Sequence, residues 1–372
     1  MKICMMAFGV FDYSVALINA LSEYCPIDFY YSKYHIQKRD SSILDLLRHK
    51  HNVNLIGYGR YRIRDIRNIP LYYRLCKDIK KRRYDVVHFQ EYGTPWIALV
   101  WRICRQYPLV MTVHDPYQHP GLPFTQNIYQ GVMQKICIGK ADKIIVHGVI
   151  LKKQFLERYS EKKNEDVIVL PHGDFSIMKY WHEDKNSNME PNSEKNILFF
   201  GTIRPNKGLE YLIKAESLVR KTMSDYRIVI AGKCNDFSRY KKYIKKGARI
   251  SVVNEYIPNE DVPKYFKDAS VVILPYISAT QTGIIPLAYS FGKPVIATNV
   301  GAIPEVVEDG KTGLLIEPRD EKALANAIVK LISDDDLLKE MGKNALQYCE
   351  ENLSWDSIAK KTMKIYSDLI KN

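Results

Sequence analysis

The segment FFGTIRPNKGLEYLI brings two cations and two glycines close together. Apolar residues Ile197 to Phe200 precede Gly201, a loop then carries Arg204 and Lys207, and a helical pattern follows Gly208. Glycine lets the backbone approach a ligand closely, while a helix N-terminus and two positive side chains favour an anion. The spacing predicts a diphosphate-binding loop, and the alternative is a plain strand–turn–helix with two solvated cations.

A second segment with anion-binding features is ILPYISATQTGIIPLAYSFGKPVIATNVGAIPEVVEDGKTGLLIEP. Thr282, Gly283 and Ile284 lie between a predicted strand and a helix that includes Pro286 in its first turn and stops at Gly292. Open parallel sheets bind ligands beyond the carboxyl ends of their strands. The backbone amides of this turn are therefore expected to face the same anion.

Among the nine histidines, His114 has the best position for chemistry, because it follows the apolar run Leu109 to Val113. A histidine there can stabilise developing charge through a hydrogen bond, or it can simply satisfy a backbone carbonyl. His88, His147 and His172 also follow apolar runs, and for these three we predict a structural role.

No group of residues has the spacing of a metal site. The one Asp-x-Asp sequence, Asp334 to Asp336, precedes a helical pattern, where acidic residues favour the helix dipole, and is interpreted as a cap. The sequence predicts neither a metal nor another cofactor.

The elements that position these residues alternate between short apolar runs and helical patterns, which is typical of parallel sheets covered by helices. A polar segment, Asp174 to Lys195, separates two such sets. We therefore expect an α/β fold with an N-terminal domain over 1–174, a linker over 175–194, a C-terminal domain over 195–350 and a terminal helix over 351–372. The predicted strands are Lys2–Met6, Val86–Phe89, Leu109–Val113, Ile144–Val146, Val167–Leu170, Ile197–Phe200, Arg227–Ala231, Val271–Leu274 and Val295–Ala297.

Composition narrows the function classes. The 372 residues are 46% apolar and 26% charged, as in a folded protein, and no apolar run reaches the roughly 18 residues of a membrane span. Seven cysteines without CxxC spacing predict reduced thiols and a cytoplasmic location. The net charge is +13, and ten basic residues lie between Arg60 and Arg83, which indicates an anionic partner such as phospholipid headgroups, a lipid diphosphate or nucleic acid. No nucleic-acid motif accompanies them, so nucleic acid is not expected.

From Phe199 to Pro318 the chain resembles the donor-binding domain of the family 4 retaining glycosyltransferases, which have the GT-B fold. The matching motifs are G-x-I-R-x-x-K-G, G-K-P-V-I-A-T-x-x-G-x-x-P-E and D-G-x-x-G-L-L. Weaker matches (DVVH, TVHD, ADKIIVH and PHG) extend the resemblance over nearly the whole chain. The closing Leu353-Ser354-Trp355 and its helix resemble the terminal helix that crosses back onto the first domain.

The resemblance implies two Rossmann-like domains facing a cleft, a UDP- or GDP-sugar donor, retention of configuration and no metal. It implies that His114 contacts the transferred sugar. The implied donor diphosphate contacts are Gly201, Arg204, Lys207, Thr282, Gly283 and Ile284, the implied nucleoside-side residues are Tyr256, Ile257, Gln281 and Leu287, and the implied acceptor or phosphate loop holds Gly9.

Three departures from the family pattern are visible. The E-x7-E motif, whose second glutamate holds the donor ribose, counts onto Ala279 and Leu287, so Gln281, Thr282 or backbone groups are the alternatives for this contact. The arginine is Arg204 rather than the residue directly after the glycine. The usual N-terminal double glycine is reduced to Gly9.

The sequence thus predicts a glycosyltransferase that acts on a glycan or lipid-linked acceptor in cell-surface polysaccharide synthesis, at the inner face of the membrane. Two alternatives stay open. One is a nucleotide-sugar epimerase or phosphorylase of the same fold. The other is a non-catalytic nucleotide-sugar binding module, suggested by the missing glutamates.

Overall fold

A computed structural model of the chain describes residues 1–7, 11–36, 41–59, 61, 65–90, 97–114, 135–174, 194–279 and 282–371. The chain forms two compact units, residues 1–173 with 355–372, and residues 174–354.

The first unit contains a seven-stranded sheet in the order β3-β2-β1-β4-β5-β6-β7, and every pair of neighbouring strands is parallel. Strands β1 and β4 are buried along their whole length, which explains why β1 is a continuous apolar run and why β4 is apolar apart from His88 and Gln90. The strands are β1 Ile3–Ala7, β2 Ile27–Ser32, β3 Val53–Tyr58, β4 Val86–Gln90, β5 Leu109–Thr112, β6 Lys143–Val146 and β7 Val167–Val169.

The longer helices of this unit are Phe11–Leu21, Asn68–Arg82, Ile97–Cys104, Val149–Arg158 and Trp355–Lys371. Shorter helical segments are Lys33–Ile36, Ser41–Leu44, Asp45–Arg48, 135–140 and Asn164–Asp166. The C-terminal helix Trp355–Lys371 packs along Phe11–Leu21. It buries Ile358, Ala359, Thr362, Ile365 and Tyr366. The last helix of the chain therefore belongs to the core of the first unit.

The second unit contains a six-stranded parallel sheet in the order β10-β9-β8-β11-β12-β13. Apolar clusters cover both faces of this sheet. The strands are β8 Lys195–Phe200, β9 Tyr226–Ala231, β10 Ile250–Val253, β11 Ala269–Leu274, β12 Val295–Thr298 and β13 Gly313–Ile316.

The helices of the second unit are Leu209–Thr222, Ser238–Lys241, Val262–Asp268, Ile284–Ser290, Glu321–Ile332 and Asp335–Tyr348, with short 3-10 turns at Pro205–Lys207 and Ile303–Glu305 and a π-helical turn at Cys349–Leu353. Helix Glu321–Ile332 buries the stripe predicted from its spacing: Leu324, Ala327, Ile328, Leu331 and Ile332. The side chain of Asp334 accepts a hydrogen bond from the Leu337 amide at the start of the next helix, which confirms the predicted cap.

The prediction of parallel α/β architecture is confirmed, and all nine predicted strands are present with ends shifted by one or two residues. Strands β2, β3, β10 and β13 were not predicted from the sequence. Strand β2 is interrupted by Asp28, whose buried carboxylate contacts Lys2, Asn54, Arg82 and Tyr84. A charged residue inside a strand hides the apolar run unless its partners are known.

Candidate active site

Three histidines gather at one edge of the first sheet because they follow neighbouring strands. His114 follows β5, His147 follows β6 and His172 follows β7. Their rings surround Tyr13, with centroid distances of 4.8, 5.2 and 5.1 Å respectively. Carboxyl ends of parallel strands are where such folds bind ligands, so this cluster is a candidate site.

Hydrogen bonds link the His147 ring to the backbone and to the His114 ring. Nδ1 of His147 lies 3.0 Å from the carbonyl oxygen of Leu170, and its Nε2 lies 3.1 Å from Nδ1 of His114. Nε2 of His114 is buried and has no hydrogen-bond partner within the described part of the chain. In His114, which is predicted to contact the sugar, Nδ1 is therefore hydrogen-bonded to His147, and Nε2 has no partner among the described residues.

Burial controls the charge of the cluster. It lowers the pKa of His147 to about 3 and holds the pKa of His114 well below the usual range, with a smaller contribution from the neighbouring histidines. It also lowers the pKa of His172. All three rings are consequently neutral at pH 7.

Aromatic packing beneath the cluster comes from opposite ends of the chain. The rings of Tyr13 and Trp355 lie 5.0 Å apart. A Cβ at Gly173 would lie 2.4 Å from the Trp355 ring, so only glycine fits there. The sequence analysis noted Gly173 and Trp355 in separate motifs but could not show that they touch.

His88 differs from the cluster. It is fully buried, its Nε2 bonds to the Thr112 hydroxyl at 2.8 Å, and its Nδ1 bonds to the Tyr366 hydroxyl. Both ring nitrogens are engaged, as expected of a structural histidine.

In the second unit, the loop after β8 depends on glycines that allow close backbone contacts. Gly208 has φ +64°, and a Cβ there would lie 1.9 Å from the oxygen of Pro275. A Cβ at Gly232 would lie 2.0 Å from the oxygen of Gly201. The ends of β8, β9 and β11 can approach one another only because these side chains are absent.

Arg204 and Lys207 both lie in this loop without an acidic partner. Within the described residues, no carboxylate comes within 4.0 Å of either cation. The Lys207 ammonium instead lies 3.7 Å from the centroid of the Tyr276 ring. Burial, helped by the nearby charge of Arg204, lowers the pKa of Lys207 to about 8. Two neighbouring cations with no counter-ion favour binding of an anion.

Asn206 joins this loop to the loop after β11, a role that the sequence analysis missed. Its backbone oxygen accepts from the Ile277 amide at 2.8 Å, and its side-chain amide donates to the Ser278 oxygen at 3.1 Å. The two loops predicted to bind the same anion are therefore adjacent.

The predicted residues of the second loop are partly committed to local bonds. The Ile284 amide donates to the Thr282 hydroxyl at 3.2 Å, so that amide is not free for a ligand. The same hydroxyl lies 3.4 Å from the Tyr276 hydroxyl, so Thr282 is close to the ring that the Lys207 ammonium contacts. Gly283 precedes the helix Ile284–Ser290 directly. Gln281 and Gly9 lie outside the described residues.

The predicted nucleoside residues differ in exposure. Tyr256 is 65% exposed in the segment after β10, and Ile257 is partly buried next to it. Leu287 is 4% exposed and packs into the apolar core, so its side chain offers nothing to a ribose hydroxyl. Of the three predicted nucleoside residues that the structure describes, Tyr256 is the most exposed.

Two general features are absent from the described residues. No group of three or more histidine, cysteine, aspartate or glutamate side chains is arranged to hold a metal ion. No described helix combines the length and the apolar character needed to cross a bilayer.

Known proteins resemble this chain over its whole length. Sucrose-phosphate synthase from Thermosynechococcus elongatus superposes with a TM-score of 0.73 at 19% identity, covering 100% of both chains. The Anabaena protein HepE in complex with UDP-glucose superposes with a TM-score of 0.70 at 17% identity, covering 99% of this chain and 100% of that chain. The fold is therefore GT-B, the fold of a class of sugar-transferring enzymes.

Sequence comparison gives the family. The family model described as Glycosyltransferase Family 4 matches residues 17–173, and the model described as Glycosyl transferases group 1 matches residues 182–348. An uncharacterised glycosyltransferase of Methanocaldococcus jannaschii is 26% identical over 337 residues, which is 84% of this chain and 85% of that protein. The chain belongs to family 4 of the glycosyltransferases.

Proposed function

We propose that this protein transfers a sugar from a nucleoside diphosphate sugar to a glycan or lipid-linked acceptor, with retention of configuration. The observation that carries the proposal is the pair Arg204 and Lys207, two neighbouring cations without a carboxylate partner in the described chain. Such a pair suits a diphosphate that becomes more negative as the sugar leaves.

The donor side of the proposal uses residues of the second unit. Arg204 and Lys207 neutralise the leaving diphosphate, the backbone at Gly201 lets it approach, and Tyr256 packs on the base. HepE, which has the same fold, was solved with UDP-glucose, and this supports a uridine diphosphate sugar as the first donor to try.

The sugar side of the proposal uses His114. A neutral imidazole with one unpaired ring nitrogen can hydrogen-bond a sugar hydroxyl and stabilise the positive charge that develops as the glycosidic bond to phosphate breaks. Retention is proposed from family membership, and the sugar is proposed to be a hexose.

Product analysis tests the proposal. Wild-type protein is incubated with UDP- and GDP-hexoses, with and without a lipid-linked glycan fraction, and free nucleoside diphosphate and glycosylated lipid are measured. Acceptor-dependent release of nucleoside diphosphate supports transfer. Conversion of the donor into another nucleotide sugar would identify an epimerase, and binding without any turnover would identify a binding module.

Donor use should depend on pH through Lys207. Because the pKa of this ammonium is lowered to about 8, the free enzyme loses the charge as pH rises through that value. We expect kcat/KM for the donor to fall between pH 7 and pH 9, since this ratio reports ionisations of free enzyme. Lys207→Arg keeps its charge throughout and should remove the decline. A flat wild-type profile over this range would contradict a role for the Lys207 charge.

Transfer should not need a divalent metal, because Arg204 and Lys207 supply the positive charge that metals supply to diphosphates elsewhere. Turnover measured in excess EDTA is expected to equal turnover in buffer that contains Mg²⁺ or Mn²⁺. A complete loss in EDTA that Mg²⁺ or Mn²⁺ restores would overturn this part of the mechanism.

A basic surface on the first unit is proposed to dock on anionic phospholipid, close to a membrane-bound acceptor. Helix Asn68–Arg82 buries Tyr72, Leu75, Cys76 and Ile79 against the sheet. Its other side and the turn before it leave Ile66, Ile69 and Tyr73 75%, 50% and 68% exposed. Exposed cations follow them along the helix: Arg74, Lys77, Lys80 and Lys81. Cations and apolar side chains on one face suit a membrane interface.

Sedimentation with liposomes measures this docking. At roughly 1 kcal/mol for each basic residue near an anionic surface, replacing Arg74, Lys77, Lys80 and Lys81 by glutamine should lower vesicle affinity by at least about tenfold. Arg82 is left unchanged because it pairs with Asp28 and Asp78. The matched control replaces four exposed lysines of the second unit: Lys322, Lys330, Lys339 and Lys343. Equal binding by both quadruple variants, or no binding by wild type at low salt, would disprove docking through this surface.

A further inference from the structure

The hydrogen bonds of the histidine cluster fix the position of each proton. Nδ1 of His147 lies 3.0 Å from the backbone oxygen of Leu170. A carbonyl oxygen can only accept, so Nδ1 of His147 carries a hydrogen and donates it. His147 is 4% exposed and, being neutral, holds no second proton. Its Nε2 is therefore an acceptor.

The tautomer of His114 follows from its hydrogen bond to His147. Nε2 of His147 lies 3.1 Å from Nδ1 of His114, and two lone pairs facing each other at this distance would repel. Nδ1 of His114 must be the donor. Because His114 is also neutral, its Nε2 carries only a lone pair.

This Nε2 atom is the part of the cluster that remains unsatisfied. It is buried, and it has no hydrogen-bond partner among the described residues. The rings packed on His114 are those of Tyr13, His147 and His172. A buried acceptor left without a partner among the described residues indicates a contact that a ligand completes.

We infer that His147 is a positioning residue: through the carbonyl of Leu170 it holds His114 as the Nδ1-protonated tautomer, so that His114 accepts a hydrogen bond from a hydroxyl of the transferred sugar. The inference rests on the proposed function. An acceptor beside the sugar favours the positive charge of the transition state, whereas an N–H at the same point would oppose it. The ligand group recognised here is thus a hydroxyl donor, and a sugar lacking that hydroxyl should be a poor substrate.

Nitrogen NMR of the free protein tests the tautomer without any substrate. With ¹⁵N-histidine labelling, and His114 assigned by comparison with His114→Asn, wild type should show a protonated Nδ1 and an unprotonated Nε2. His147→Gln keeps an acceptor oxygen near the position of Nε2 and should preserve this pattern. His147→Phe has no acceptor, so His114 should shift toward the Nε2-protonated form. His172→Phe removes a neighbouring ring and should leave the His114 pattern unchanged.

Kinetics then separates positioning from packing. His147→Phe is expected to lower kcat by about tenfold or more, as for other residues that orient a functional histidine, with nucleoside diphosphate affinity retained. His147→Gln should recover most of the loss. In a His114→Ala background, His147→Phe should cause no further loss, because its effect passes through His114.

Three outcomes would overturn the inference: an Nε2-protonated His114 in the free wild-type protein, equal kcat in His147→Phe and wild type, or a full additional loss from His147→Phe when His114 is already alanine. Failure of the proposed function has a different signature, which is normal turnover by His114→Ala. If His147→Phe does not fold, the wild-type and His147→Gln spectra still decide the tautomer.

Discussion

Replacing His114 with alanine is expected to abolish most glycosyl transfer while leaving nucleoside diphosphate affinity nearly unchanged. The side chain is proposed to offer the sugar its Nε2, which has no partner among the described residues, and it lies in the first unit, whereas the cations proposed to bind the diphosphate lie in the second. A contact made mainly in the transition state acts on kcat. We expect a fall of about a hundredfold or more, comparable to loss of other groups that stabilise developing charge.

The comparison that makes this result interpretable is His88→Asn, because His88 is fully buried and both of its ring nitrogens bond to protein side chains, namely those of Tyr366, Thr112 and Gln90. That change should lower the free energy of unfolding, whereas kcat of the folded fraction should change little. Wild-type turnover by His114→Ala would return His114 to a structural role.

Replacing Arg204 or Lys207 with alanine is expected to cost at least about 2 kcal/mol of transition-state stabilisation, roughly thirtyfold in kcat/KM, as for other charge-assisted contacts. Unlike His114→Ala, these variants should also bind nucleoside diphosphate more weakly. The two cations lie in one loop and are proposed to share a ligand, so the double variant should lose less than the sum of the two single losses.

Lys221→Ala is the matched control for these variants. Lys221 is exposed near the far end of helix Leu209–Thr222, which begins at the same loop, and 14 helical residues span about 20 Å. It removes one positive charge from the same unit without touching the loop. If Lys207→Ala and Lys221→Ala behave alike, the leaving group is not stabilised at this loop.

The fold could be predicted from sequence where strands contain an uninterrupted apolar run, as in β1 and in the last four residues of β8. Prediction failed for β13, Gly313–Ile316, where the residues were interpreted only as a motif. A Cβ at Gly313 would lie 2.3 Å from the oxygen of Val295, so this glycine marks close strand packing rather than a turn. Such a contact depends on a neighbouring strand and leaves no local signal.

The residues of the candidate site could also be predicted only in part. His114, Arg204 and Lys207 could be selected because each follows the carboxyl end of an apolar run, a position visible in sequence. The residues that contact them could not be predicted. Tyr276 lies under Lys207, and His147 bonds to His114, because neighbouring strands end at the same edge. The sequence analysis interpreted His147 as structural, and nothing in its own segment distinguishes a histidine that orients another ring.

Direct binding of nucleoside diphosphates tests the central claim most simply. Thermal unfolding of wild type, His114→Ala and the Arg204→Ala/Lys207→Ala double variant is followed with increasing UDP or GDP. Ligand at a hundred times Kd should stabilise a competent protein by about 2.7 kcal/mol. We predict that one of the two nucleotides raises the Tm of wild type and of His114→Ala equally and has little effect on the Tm of the double variant. Equal stabilisation of the double variant, or none of wild type by either nucleotide at millimolar concentration, would contradict it.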